Sequence, residues 1–195
     1  MSKMFAGLTA EGWDAKKAGL KYGDIPEHYK RKNWMSKEAA LALRNVVLNK
    51  NMMENRGQIK MHYTDRKTVR KRDVQIEHKH SMFDAFLSGA YKWLKSKKQE
   101  FAKDMDNIVT ANKNINIQKG AKNITEWLPS KNVKNFLSGI ENTKVKWELT
   151  GTKKEAKVFK KIMGRKPKFK IGPKVQDTPY CTRCHISHSI HQHKK

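Results

Sequence analysis

Both cysteines and four of the eight histidines crowd into one C-terminal run, Tyr180-Cys181-Thr182-Arg183-Cys184-His185-Ile186-Ser187-His188-Ser189-Ile190-His191-Gln192-His193. Thiolate sulfur and imidazole nitrogen are the ligands zinc prefers, and a CxxC turn brings two sulfurs to one ion. The spacing Cys-x2-Cys-x3-His-x2-His makes Cys181, Cys184, His188 and His191 the candidate ligands, with His185 or His193 able to substitute. It is tighter than the usual zinc finger, and a His-rich tail ordered by a partner fits the same residues equally well. A metal here would be structural, closing a knot too small to build its own core.

Two other chemistries share these residue types. Cys181-x-x-Cys184-His185 satisfies the attachment pattern of c-type haem, but haem needs an apolar pocket that this basic tail does not supply. Metal-dependent nucleases of the His-Cys and HNH sort also combine Cys and His. In them a catalytic histidine, its metal ligand and a following helix should come after the pair, and only two residues follow His193. Gly-rich phosphate loops and nucleophile elbows are missing as well, and the carboxylates are few and scattered. His62, His78 and His80 sit among charged residues and read as solvated. A non-enzymatic protein is expected.

The second concentration of chemistry is positive charge. The 195 residues hold 43 Lys and Arg against 18 Asp and Glu, a net charge of +25, and self-repulsion of this size calls for a polyanionic partner. The sharpest local signal is a helix opened by the capping box Thr152-Lys153-Lys154-Glu155 and closed by Gly164. Its wheel puts Ala156, Val158, Phe159, Ile162 and Met163 on one half and Lys153, Lys154, Lys157, Lys160 and Lys161 on the other. Solvated faces normally mix both signs, because like charges four apart repel, so this face is read as a rail for phosphates. A membrane-surface helix would want a bulkier apolar face than one aromatic provides.

Two further clusters join the candidate nucleic-acid contacts. Arg66, Lys67, Arg70, Lys71 and Arg72 crowd the tip and one strand of an expected hairpin, as a solvated edge or a phosphate-gripping ribbon. Arg165, Lys166, Lys168 and Lys170 alternate with apolar residues between Pro167 and Pro173, which reads as an extended strip laid along a partner rather than a packed element. Such strips are a recurrent device of ribonucleoprotein subunits, a likeness of style and not of family.

The elements that must carry these groups follow from periodicity. Ser36 caps a helix near 37–54 that Asn55-Arg56-Gly57 should end. Alternation at Ile59, Met61, Tyr63, Val74 and Ile76 predicts a β-hairpin near 58–78. Phe83, Leu87, Ala90, Leu94, Phe101, Met105 and Ile108 fall on one stripe, which predicts a spine helix over 82–108. An Asn-rich connector at 112–118 and a helix near 130–141 follow, then the lysine helix at 153–163. The fold class expected is mainly α, with extended basic N- and C-terminal arms. The divisions are an irregular aromatic arm at 1–35 with a short helix around Ala10 to Ala18, a helical core at 36–150, the basic helix and strip at 151–174, and the Cys/His-rich tail at 175–195.

No apolar run approaches the roughly 18 residues that span a bilayer, and the start lacks a long apolar stretch, so neither a membrane span nor secretion is expected. Cytoplasm, nucleus and mitochondrial matrix stay open. The function expected is a structural RNA-binding protein of a ribosome or comparable particle, touching RNA phosphates through Lys and Arg and lying against neighbouring proteins. The rival is a basic accessory subunit of an acidic protein assembly, such as a microtubule-associated or luminal protein or an organellar complex.

Overall fold

The computed structural model describes residues 34–64 and 66–172, together with the backbone of a small strand pair at Tyr180–Cys181 and Ile186–Ser187. The fold is mainly helical with small antiparallel sheets. The N-terminal arm up to residue 33, its expected helix, and Cys184, His185, His188 and His191 lie outside the described residues.

Helix α1 spans Lys37–Glu54, as its pattern predicts, because the Ser36 hydroxyl accepts the Ala39 N–H at 3.1 Å. It ends where Gly57, at φ 79°, lets the chain turn back and donate to the Met52 carbonyl. A short ribbon follows, β1 at Ile59–Lys60 paired with β2 at Lys67–Thr68. The hairpin expected over 58–78 is therefore only its first half. The later strand, β3 at Val74–His78, pairs instead with β4 at Ile108–Asn112, in the register Val74↔Asn112 to His78↔Ile108.

That pairing rules out the single helix expected over 82–108. Helix α2 is Met82–Leu87, a 3-10 turn covers Ala90–Lys92, helix α3 is Lys95–Ala102, and the chain then enters β4. The break is chemical. Gly89 stands at φ 128°, a conformation that side chains rarely tolerate, and Ser88 closes α2 by donating its N–H to the Asp84 and Ala85 carbonyls. The apolar stripe is real as burial: Phe83, Leu87, Ala90 and Phe101 share a core with Trp34, Met35 and Leu149. Three short elements deliver it instead of one long one.

The Asn-rich stretch is also structured. Asn112 accepts the Asn114 N–H at 2.9 Å and so starts helix α4, Lys113–Lys119, directly after β4, and Gly120 at φ 52° ends it. Helix α5, Val133–Lys146, buries Phe136, Leu137 and Ile140 against Tyr63 and Ile124. Helix α6, Lys153–Met163, has the predicted capping box and the predicted Gly164 terminus.

The strip after Gly164 departs from expectation, because it packs. Phe169 is buried against Phe159 in the same cluster as Phe136. Gly151 donates to the Lys170 carbonyl at 2.8 Å and accepts from the Gly172 N–H at 2.9 Å. A Cβ on Gly151 would stand 2.3 Å from the Phe169 ring, so only glycine admits the aromatic residue there. Alternation of basic and apolar residues marks one buried edge here, as in any half-buried strand. No helix among the described residues is long and apolar enough to cross a membrane.

Candidate functional site

The five lysines share the exposed side of α6, as the helical wheel predicts. Lys153, Lys154, Lys157, Lys160 and Lys161 are exposed, while Glu155, the only acid of α6, turns inward to meet Lys144 at 3.1 Å with both groups buried. No carboxylate among the described residues forms an ion pair with any of the five. The strip is more divided. Arg165 clasps Glu141 through two bonds of 2.8 and 2.7 Å, whereas Lys166, Lys168 and Lys170 are exposed. Arg165 holds the Glu141 carboxyl below its ordinary range, helped by the Lys168 N–H and opposed by burial.

The ribbon residues Arg66, Lys67, Arg70, Lys71 and Arg72 are exposed, with Arg72 at 3.9 Å from Asp73. Cys181 falls on the small C-terminal strand pair, and the other proposed zinc ligands lie outside the described residues. Among the described residues no group of three or more His, Cys, Asp or Glu could hold a metal ion.

The three histidines expected to be solvated are not. His80 is 1% exposed, its Nδ1 at 3.0 Å from Asp84, and its backbone is gripped on both sides by Asn107, itself fully buried. That set braces the loop between β3 and β4. His62 is half-buried and its carbonyl accepts the Asn132 side chain. His78 is half-buried as well, stacked on Phe101 with ring centroids 6.3 Å apart.

His78 belongs to a site that sequence reasoning missed. It ends β3, whose outer edge is the floor of a cleft of about 520 Å³ walled by α1 and α4. Strand alternation puts Gln75 and Glu77 on one face, and helix spacing puts Asn116 and Lys119 on one face of α4. The two faces meet: Asn116 Nδ2 donates to Gln75 Oε1 at 2.6 Å, and Lys119 Nζ lies 3.0 Å from Glu77 Oε1. Lys119 also donates to the His78 carbonyl at 3.0 Å, and the Tyr63 hydroxyl donates to Glu77 at 2.5 Å. Burial, reinforced by the Glu77 charge, pushes the Tyr63 phenol well above its usual range, so it remains a donor.

The residues lining the cleft include Gln75, Glu77, His78, Asn116 and Lys119, together with the cations Arg44 and Lys113. His78 Nε2 lies 2.9 Å from the Ala102 carbonyl. A carbonyl only accepts, so Nε2 carries the hydrogen, and Nδ1 is the proton-accepting nitrogen of the neutral ring. Glu77 and Asn116 are the lining residues whose side-chain oxygens could serve a hard cation, which would share Glu77 with the Lys119 ammonium already paired to it. Glu77 is a carboxylate, and Asn116, having spent its Nδ2 on Gln75, has an Oδ1 that bonds no other described residue. Magnesium takes one or two carboxylates, keeps several waters and completes its shell with substrate phosphate.

Sequence signals for this site exist: the acid–imidazole doublet Glu77-His78 and the set Asn116-x-x-Lys119-Gly120. Their meeting depends on the β3–β4 pairing, which spans a loop of 29 residues. No family model, curated protein or solved structure matches the chain.

Proposed function

We propose that this protein is a metal-dependent nuclease, hydrolysing phosphodiesters of a nucleic acid that its lysine and arginine surfaces hold. What carries the proposal is one placement: His78, Glu77, Asn116 and Lys119 line a single cleft, and the Ala102 carbonyl fixes the histidine tautomer. Along residues 74–120 a histidine at the end of β3 is followed by β4 and then by α4, which carries the candidate ligand Asn116. This is the arrangement expected of a nuclease of the HNH sort.

The chemistry balances with water alone. The water oxygen bonds to phosphorus, its proton passes to His78 Nδ1, the ester P–O bond breaks, and the departing oxygen takes a proton from solvent. A divalent cation held by Glu77 and Asn116 would supply charge to the phosphoryl oxygens as the bond forms. Lys113 and the α6 lysines attract the substrate, and the carbonyl of Ala102 keeps the imidazole aimed.

The expected non-enzymatic reading stays as the second proposal, because the rail on α6, which no described carboxylate pairs with, supports polyanion binding with or without cleavage. Partners such as ribosomal RNA or an acidic protein assembly belong to it. Incubating the full chain with plasmid DNA and with transcribed RNA, in magnesium, manganese or EDTA, separates the two. Divalent-dependent strand scission supports the nuclease. Tight binding without scission under every cation favours the structural role.

A further inference from the structure

A second cleft, of about 640 Å³, lies between the β1–β2 ribbon and the β4–α4 junction. Arg66, Lys67 and Arg72 line it from the ribbon side, and Lys113, Asn112 and Asn114 face them. Lys113 also lines the cleft of His78 and Glu77, so the two hollows adjoin through one side chain. The ribbon is fixed against β4 rather than waving beside it. The His62 N–H donates to the Thr110 carbonyl at 2.9 Å, and the Thr110 hydroxyl donates to the Lys60 carbonyl at 2.6 Å.

From this placement we infer that the second cleft seats the backbone phosphates neighbouring the one cleaved, so that the substrate strand runs across Lys113 from one hollow to the other. The inference rests on the nuclease reading for its direction. Among the described residues that line it, four cations face one carboxylate, Asp73, a balance that favours an anion. Forked guanidinium groups match phosphate oxygens, and no aromatic side chain among the described residues lines the hollow to stack on a base. The contacts are therefore to the backbone and independent of sequence. The enzyme should favour a polynucleotide over a small diester that cannot reach the second cleft.

The test compares the parent chain with a triple variant, Arg66→Gln, Lys67→Gln and Arg72→Gln, on two substrates. One is a fluorescein-labelled 30-nucleotide strand; the other is bis(p-nitrophenyl) phosphate with manganese. The variant should lose about tenfold of the preference for the 30-mer over the small diester. Its Kd for the 30-mer in EDTA should rise by a similar factor, with a salt slope shallower by about 2, from roughly 0.7 for each phosphate no longer neutralised. An unchanged Kd overturns the inference, as does an equal loss on both substrates at unchanged melting temperature. Should the parent protein hydrolyse neither substrate, the nuclease reading falls while the Kd comparison still decides whether this cleft holds phosphates.

Discussion

His78 Nε2 and the main-chain oxygen of Ala102 lie 2.9 Å apart, joining the end of β3 to the end of α3. The bond makes the loop between the paired strands part of the site. Its other braces, His80 with Asp84 and Asn107 with the His80 backbone, keep the carbonyl in place. A side chain held by a carbonyl has one tautomer, which is how a histidine becomes a base at a chosen nitrogen.

Asn116→Ala removes the carboxamide from the cleft without touching the core, since the residue is half-buried. The magnesium concentration for half-maximal cleavage should rise about tenfold or more, and substrate affinity in EDTA should hold. Titrating magnesium against initial rate reads this directly. An unmoved midpoint would remove Asn116 from the ligand set.

Charge reversal at Lys157 and Lys161 should weaken binding to any nucleic acid and leave the melting temperature within a degree or two. Both side chains are exposed and neither pairs with a described carboxylate. Affinity measured at several salt concentrations should show a slope shallower by about 2 on duplex DNA, near 0.9 for each phosphate no longer neutralised. Identical salt dependence in the two proteins would refute the rail.

Glu141 gives the fold an acid limit. Its carboxyl is depressed by Arg165 first, then by the Lys168 N–H, against the opposing effect of burial. A depressed carboxylate contributes stability that is full above its unfolded value, about 4.3, and is lost as pH falls through the lower folded value. Glu141→Gln should therefore cost about 2 kcal/mol at pH 7 and flatten the loss of stability below about pH 4.3. Urea titrations at pH 3.5 and pH 7 would show a smaller difference for the variant than for the parent.

The Cys/His tail makes its own prediction. Protein purified without chelator should carry about one zinc per chain, and a double change of Cys181 and Cys184 to Ser should abolish it. Full metal content in the double variant would reject these ligands.

Local signals were legible wherever the cause is local. Ser36 and the Thr152–Glu155 box cap the helices they predict, because a cap is decided within four residues. The stripe from Phe83 to Ile108 misled because burial at helical spacing also arises when Gly89 breaks the chain and separate pieces return to one core. That error hid β4, and without β4 nothing places α4 beside β3. Glu77, His78 and Asn116 then read as scattered polar residues. The cleft is a long-range object, made by pairing His78 with Ile108, and no local window contains it.

Whether His78 is the base is decided by single-turnover cleavage of a labelled duplex in magnesium, comparing the parent chain with His78→Ala at saturating protein. The variant should cleave about 10²–10⁴ more slowly with unchanged binding, the range for loss of a general base. Equal rates in the two proteins, or no magnesium-dependent cleavage by the parent, would contradict the proposed nuclease.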